Sequence, residues 1–427
     1  MSQAGMGGSA LLRALRHRGV LYNGQRWLSG KDRGDINTLQ EEAYTQKDEE
    51  EDEENPKPDR RSPTDTTVLL FPGQGSQAVG MAGGLLKYPN VRAMFLTAHK
   101  VLGYDLLDLC LRGPAEVLNK TIHCQPAVFV TCVAATEKLN QENPSALEKC
   151  IAMAGFSVGE YAALVCAGVL DFTEALYAVK VRAEAMQKAS EAIQSGMLSV
   201  IGNSKTQYST ACAEAQDHCL TLGITDPVCE VANYLFPDGR VIAGHMESLL
   251  HRSSAVSIPS STGILLQAGE CGDKREQTRV APILVFLPAI QFLQNNSRKY
   301  NFFRTKLLPV SGAFHTRLMK PAVEPLAEAL KGLTFKRPLV NVYCNVDGRR
   351  YRQGPTIEHL LAKQLVSPVK WEQIMHTIYE RKKGKDFPQT FELGPGQQMG
   401  TILKTCNLKA WRSYTQVDVF EKDLEMD

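Results

Sequence analysis

Residues 155–159 carry the clearest chemical signal, because Gly155, Phe156, Ser157, Val158 and Gly159 fit the pattern G-x-S-x-G. A short apolar run precedes this pattern, and a run of small apolar residues follows it. Between a strand and a helix, the pattern forms a sharp turn that projects the serine hydroxyl as a nucleophile. The N-terminus of the following helix then offers N–H groups to a developing oxyanion. We therefore predict a nucleophile elbow at Ser157, with a purely structural turn as the alternative.

Arg182 is a cation on what the spacing predicts to be an apolar helix face. Its neighbours three and four positions away are Ala178, Val179, Ala185 and Met186. A guanidinium on a buried face needs an anionic partner. The side chain could extend to solvent or pair with an internal acid. Alternatively its partner arrives with the substrate, since the planar guanidinium matches a carboxylate in a bidentate manner.

A serine nucleophile also needs a base, and His315 is the best-placed of the nine histidines. It follows a predicted strand at 307–310 and precedes a helix rich in alanine and leucine. Catalytic groups of α/β proteins commonly lie in such loops. A lone loop histidine is more often an ordinary surface residue, so the assignment depends on its partners.

The elements around these residues alternate between strands and helices. Strands are predicted at 67–71, 151–154, 197–201, 228–231, 240–243, 307–310, 339–344 and 390–393. Asp171 and Glu174 form a capping-box pattern for a helix that continues to about residue 190. The first strand runs into the glycine-rich segment 72–75, which is a second candidate site element. This alternation predicts an α/β fold with a mostly parallel sheet.

The amino-acid composition limits the classes of partner that this protein could bind. The 427 residues include 48 basic and 46 acidic side chains, so no overall charge favours nucleic acid or an anionic membrane. The longest apolar stretch, 280–290, is shorter than the roughly 20 residues of a membrane span. The 11 cysteines show no metal-ligand spacing. We predict an intracellular protein without a membrane span, without a bound metal and without nucleic acid as a partner.

The N-terminal residues resemble a targeting segment. Residues 1–31 contain no acid, and Arg13, Arg16 and Arg18 accompany a leucine-rich helical face. This combination is typical of a mitochondrial presequence, and a basic disordered tail is the alternative. Seven consecutive acids occupy 48–54 and three prolines follow, so residues 32–65 are predicted to be a disordered linker.

Several ordered motifs together resemble the malonyl-coenzyme A:acyl carrier protein transacylases, in particular the mitochondrial form of animals. The similarity extends from about residue 66 to about residue 419. The motifs lie at 71–77, 155–160, 181–187, 311–315, 345–347, 364–371 and 392–396.

The resemblance implies a role for each matching residue. Ser157 would be the nucleophile and His315 the base, and the backbone N–H groups of Gln74 and Val158 would form the oxyanion hole. Arg182 would bind the free carboxylate of the malonyl group. In this family a backbone carbonyl orients the histidine, which here implies Gln364, with Asn345 nearby. No catalytic aspartate, metal or redox cofactor is implied.

The chain departs from the family pattern in two places. Phe156 replaces the histidine of most bacterial members, which leaves the nucleophile unaffected. About forty residues at roughly 250–290 interrupt the similarity, and they show no lasting helical or strand periodicity. We interpret this insertion as a variant or mis-spliced segment, with a regulatory element as the alternative.

The resemblance also implies the architecture. A large α/β-hydrolase-like domain would comprise 66–195 and 310–419, and a smaller ferredoxin-like α+β domain would comprise 196–309. Residues 420–427 would be a C-terminal tail. The implied activity is ping-pong transfer of malonyl from malonyl-CoA to the phosphopantetheine thiol of acyl carrier protein, in the mitochondrial matrix, for fatty acid synthesis. A serine hydrolase or thioesterase and a non-catalytic binding module remain as alternatives.

Overall fold

The computed structural model describes residues 62–246 and 288–421, apart from 353 and 383. The predicted presequence, most of the acidic linker, nearly all of the insertion and most of the C-terminal tail lie outside these residues. The strands are β1 (Thr67–Phe71), β2 (Cys150–Gly155), β3 (Ser195–Ile201), β4 (Cys229–Phe236), β5 (Gly239–His245), β6 (Arg304–Leu307), β7 (Asn341–Tyr343), β8 (Val369–Lys370), β9 (Gln389–Leu393) and β10 (Tyr414–Val417).

Helices connect most of these strands. They are α1 (Val91–Leu102), α2 (Leu106–Arg112), α3 (Ala115–Leu118), α4 (Thr121–Glu142), α5 (Pro144–Glu148), α6 (Gly159–Cys166), α7 (Phe172–Ala192), α8 (Tyr208–Thr221), α9 (Ala289–Asn295), α10 (Val323–Lys331), α11 (Gly354–Lys363), α12 (Trp371–Tyr379), α13 (Gln398–Cys406) and α14 (Leu408–Trp411). A 3-10 helix, Arg317–Ala322, precedes α10.

One five-stranded sheet is parallel throughout, in the order β10-β9-β1-β2-β7. Every residue of β1 is buried, as expected for a central strand covered on both faces. Phe71 pairs with Gly155, so β1 and β2 end side by side. The loop after β1 and the predicted elbow after β2 therefore leave the sheet at the same edge. The predicted α/β fold with a parallel sheet is confirmed.

One short helix lies on the strands that lead to the site, and two long helices pack beside it. Helix α4 packs against α7, and α6 packs against α4 and the first two strands. All eight residues of α6 are buried, including Glu160. This burial agrees with the run of small apolar residues that predicted a buried helix after the elbow.

The second five-stranded sheet has the order β6-β3-β5-β4-β8 and is antiparallel except for the β4–β8 pair. Helices α8 and α9 pack on it and share its core, which includes Leu198, Ala211, Ile242, Ile290 and Leu293. Strand β8 comes from the later part of the chain, beyond the predicted bounds 196–309 of the small domain. A two-residue strand is too short to show a hydrophobic period, so the sequence pattern could not predict it.

Two local predictions are wrong in part. The strand expected at 307–310 is β6, which ends at Leu307, because Pro309 has no N–H to continue a ladder. The helix predicted after Asp171 is α7, and Asp171 occupies its N-cap position, but the Asp171 side chain makes no capping hydrogen bond. Its Oδ1 instead accepts from Lys336 Nζ at 3.0 Å, so a tertiary contact replaces the predicted local one.

The described part of the chain contains no helix that is long and apolar enough to cross a membrane. The cysteines that lie within it are free thiols.

Candidate active site

The turn between β2 and α6 has the geometry of a nucleophile elbow. Ser157 has a φ of 54°, a left-handed conformation that costs energy for a residue with a side chain. A Cβ on Gly155 would lie 2.0 Å from the carbonyl oxygen of Gly159, and a Cβ on Gly159 would lie 2.5 Å from that of Phe71. Glycine is therefore required on both sides of Ser157 because the turn is too tight for a larger residue.

Asn345 braces this turn from the end of the neighbouring strand. Its Oδ1 accepts from the backbone N–H of Ser157 at 2.7 Å, and its Nδ2 donates to the carbonyl of Gly155 at 2.8 Å. The side chain is fully buried. One amide thus satisfies two backbone groups on either side of Phe156, where the chain enters the elbow, and offsets the strain at Ser157.

His315 and Ser157 form a hydrogen-bonded pair. His315 Nε2 lies 2.9 Å from Ser157 Oγ, and His315 Nδ1 lies 2.9 Å from the backbone carbonyl oxygen of Gln364. A carbonyl only accepts, so in the neutral ring Nδ1 carries the hydrogen and Nε2 has a free lone pair. The ring is therefore in the tautomer that accepts a proton from the serine hydroxyl.

The environment keeps His315 neutral. Only 4% of its surface is exposed, and its φ of 63° marks a second strained position in the site. Burial, together with the positive charge of Arg182, lowers the pKa of His315 to about 4. A neutral imidazole is the form that acts as a general base.

Arg182 lies against the nucleophile and is fully buried. Its Nη2 donates to Ser157 Oγ at 2.9 Å and to Gln364 Oε1 at 2.8 Å, and its Nη1 donates to Gln125 Oε1 at 2.6 Å. None of the ion pairs among the described residues includes it. The guanidinium therefore neither reaches solvent nor pairs directly with an internal acid.

Two glutamines complete the shell around the guanidinium. Sequence reasoning gave Gln364 a role only through its backbone carbonyl, and it missed Gln125. Gln125 is 1% exposed on α4 and also donates to Gln74 Oε1 at 3.4 Å. The sequence feature that could have identified Gln125 is a polar residue in a helix whose other residues are largely small and apolar. That signal is weak because buried glutamines often serve only packing.

The two predicted oxyanion donors lie at the same edge of the sheet. Gln74 follows β1, and Val158 is the N-cap residue of α6. The loop around Gln74 packs closely on the elbow, since a Cβ on Gly73 would lie 2.5 Å from the carbonyl oxygen of Phe156. Among the described residues, neither the Gln74 nor the Val158 backbone N–H has a hydrogen-bond acceptor. Both are therefore available to a ligand.

Comparison with known proteins agrees with this geometry. Residues 68–243 match the family described as acyl transferase domain. Human mitochondrial malonyl-CoA-acyl carrier protein transacylase is 57% identical over 363 residues, which cover 85% of this chain and 83% of that protein. The E. coli K12 malonyl CoA-acyl carrier protein transacylase is 35% identical over 338 residues, 79% of this chain and 91% of that protein.

Solved structures give the same result. An acyl carrier protein S-malonyltransferase from Vibrio cholerae matches with a TM-score of 0.64 and 31% identity, covering 83% of this chain and 97% of its own. A malonyl-transacylase solved in complex with a type II PKS acyl-carrier protein matches with a TM-score of 0.64 and 30% identity, covering 84% and 96%. This chain therefore belongs to the malonyl-CoA-acyl carrier protein transacylases.

Proposed function

We propose that this protein transfers the malonyl group of malonyl-CoA to the phosphopantetheine thiol of an acyl carrier protein, through an ester on Ser157. The observation that carries the proposal is the position of Arg182. Its buried guanidinium lies 2.9 Å from Ser157 Oγ and has no carboxylate partner among the described residues. An acyl group that brings its own carboxylate supplies the missing anion.

In the first half-reaction, Ser157 Oγ attacks the thioester carbonyl as His315 Nε2 takes the hydroxyl proton. The Gln74 and Val158 N–H groups stabilise the oxyanion that forms. The carbon–sulfur bond then breaks, and the imidazolium returns its proton to the coenzyme A sulfur. The product is a malonyl ester on Ser157 and free coenzyme A.

In the second half-reaction, the carrier thiol gives its proton to His315 and attacks the ester. The tetrahedral intermediate collapses, the carbon–oxygen bond breaks, and Ser157 regains its hydrogen. Kinetics should be ping-pong. These steps exchange one thioester for another, so we propose that they require no metal and no redox cofactor.

The partners and location follow from the family. We assign malonyl-CoA and acyl carrier protein as the substrates, in fatty acid synthesis. The human relative is named as mitochondrial, and the basic, acid-free residues 1–31 support the same location for this protein, in the matrix.

The two sheets support a finer description of the fold. We propose an α/β-hydrolase-like domain, built from about 66–195 and 310–419 around the parallel sheet. A ferredoxin-like domain of about 196–309 would surround the second, mostly antiparallel sheet. The catalytic cleft then lies between them, with Ser157 and Arg182 on the first segment and His315 where the chain returns.

Substitution of Arg182 tests the proposal. Arg182→Ala should lower malonyl transfer by about 100-fold or more, because breaking a buried charge pair costs about 3–5 kcal/mol. Acetyl transfer should fall far less, since acetyl has no carboxylate. Arg182→Lys should restore little, because lysine keeps the charge but loses the planar guanidinium.

Lys188→Ala is the matched control, because it removes an exposed cation from the same helix. Transfer is measured with labelled malonyl-CoA and acetyl-CoA, with separate detection of carrier-bound product and free acid. Equal loss of malonyl and acetyl transfer in Arg182→Ala, with a lower melting temperature, would contradict a substrate-binding role. Release of free malonate in place of carrier-bound product would indicate a hydrolase.

A further inference from the structure

Glu160 is a fully buried carboxyl group one helical turn beyond the nucleophile. It accepts hydrogen bonds from the Tyr351 hydroxyl, from Gln364 Nε2 at 2.5 Å and from the Asn345 backbone N–H at 3.3 Å. Burial raises the pKa of Glu160 to about 7, although these donors and the positive charge of Arg182 oppose the rise. The proposed reaction has no step for this group.

Two of its three partners hold the reacting residues. Asn345 braces the turn through the Ser157 N–H and the Gly155 carbonyl. Gln364 contacts His315 through its backbone carbonyl at 2.9 Å, Arg182 through Oε1 at 2.8 Å and the Ser157 carbonyl through Nε2 at 3.2 Å. Glu160 therefore lies immediately behind the residues that orient the site.

The hydrogen bonds of Gln364 admit only one orientation of its side-chain amide. A guanidinium only donates hydrogen bonds, so the amide oxygen must face Arg182. A carboxylate only accepts, so the amide nitrogen must face Glu160. The opposite orientation would direct N–H groups at the cation and an oxygen at the carboxylate.

We propose that Glu160 is a positioning residue that fixes the Gln364 amide, so that its oxygen holds Arg182 beside Ser157 and the site prefers a malonyl group. This inference rests on the proposed function. The proposal also explains why the Gln364 amide lies between Glu160 and Arg182. A direct Glu160–Arg182 ion pair would neutralise the cation that the substrate carboxylate needs, whereas the amide holds the guanidinium and leaves its charge unpaired.

Glu160→Gln is the test variant, because a carboxamide has the same shape but accepts through only one oxygen. Glu392→Gln is the matched control. Glu392 is also fully buried, and it accepts from the Tyr414 hydroxyl at 2.6 Å and from the Gly400 N–H at 2.8 Å. None of the described hydrogen bonds of Glu392 involves a site residue. The Glu392→Gln variant therefore measures the general effect of replacing a buried carboxyl group.

The readout is the ratio of malonyl to acetyl acylation rates of Ser157, measured in a single turnover with malonyl-CoA and acetyl-CoA. We expect this ratio to fall about tenfold in Glu160→Gln and to stay within about twofold of wild type in Glu392→Gln. General damage would lower both rates together and leave the ratio unchanged. An unchanged ratio in Glu160→Gln would overturn the inference.

Tyr351→Phe provides a second route if Glu160→Gln does not fold. It removes one donor from the carboxylate and leaves the other contacts in place, so the ratio should fall about threefold; no change would again overturn the inference. If wild type and Glu392→Gln form no malonyl ester at all, the proposed function fails instead.

Discussion

Replacing Asn345 with alanine should destabilise the protein and slow acylation together. The side chain joins the end of β7 to the elbow through two buried hydrogen bonds, one to the Ser157 N–H and one to the Gly155 carbonyl. Alanine removes both bonds, while Gly155 and Ser157 remain buried. The Ser157 N–H and the Gly155 carbonyl are then left without their partner.

The expected magnitude follows from those two groups. An unsatisfied buried donor or acceptor costs about 1–3 kcal/mol, so the unfolding free energy should fall by about 2–6 kcal/mol. The turn at Ser157 is already strained, with a φ of 54°. Without its brace, the hydroxyl leaves the position 2.9 Å from His315 Nε2, and acylation slows.

Urea unfolding and single-turnover acylation measure the two effects. Asn341→Ala is the matched control, because Asn341 lies at the start of the same strand and donates to the β2 carbonyl of Ile151 at 3.2 Å, but is exposed. It should cost less than about 1 kcal/mol and leave acylation unchanged. The reasoning is refuted if the two variants unfold alike and acylate alike.

Asn345→Asp tests the two hydrogen bonds separately, because it should keep one and remove the other. A carboxylate can still accept from the Ser157 N–H but cannot donate to the Gly155 carbonyl. The protonated acid can donate, so burial and this carbonyl should raise the pKa of the new group above its unfolded value. A raised pKa stabilises the folded state at low pH, and this contribution is lost as pH rises through the folded pKa. The variant should therefore be more stable relative to wild type at pH 5 than at pH 8.

Three further results are expected. His315→Ala should slow acylation by about 100- to 10,000-fold with little change in melting temperature, and an unchanged pre-steady-state rate would remove His315 from the mechanism. Because burial and Arg182 lower the pKa of His315 to about 4, NMR of labelled histidine should show this ring neutral at pH 5.5, whereas protonation with a midpoint near 6.5 would contradict its buried position. A fusion of residues 1–63 to a fluorescent protein should enter the mitochondrial matrix, and the same fusion with Arg13, Arg16 and Arg18 changed to Glu should stay in the cytosol.

Local patterns were enough to predict the elements that carry the nucleophile. β1, β2 and α6 appear where short apolar runs and glycines placed them, within a residue or two. Arg182 could be identified because a cation on an apolar stripe conflicts with its surroundings, and such conflicts mark functional sites. The structure confirms that the cation is buried.

Contacts between distant segments could not be read from local patterns. The Gln364 amide reaches Ser157 across 207 positions, and Glu160 meets Tyr351 across 191. Gln364 and Asn345 entered the prediction only through resemblance, and Gln125 and Glu160 did not enter it. Buried polar side chains reveal a role only when their partners are known.

The predicted boundary of β6 was wrong for a related reason. The chain leaves β6 at Leu307, and the Leu308 N–H still donates to the Met197 carbonyl at 2.9 Å. The apolar run at 307–310 looks like a strand because Leu308 and Val310 pack partly against the main hydrophobic core, whereas Leu307 and Pro309 are exposed. Burial of side chains and membership of a sheet are separate properties, and the sequence reports the first more directly.

Intact-protein mass spectrometry of Ser157→Ala after mixing with malonyl-CoA tests the covalent mechanism most directly. Wild-type protein should gain the mass of one malonyl group and lose it again when holo acyl carrier protein is added. Ser157→Ala should stay folded, since only a hydroxyl is removed, and should gain no malonyl mass. A malonyl adduct on Ser157→Ala that forms at the wild-type rate would show that Ser157 is not the nucleophile.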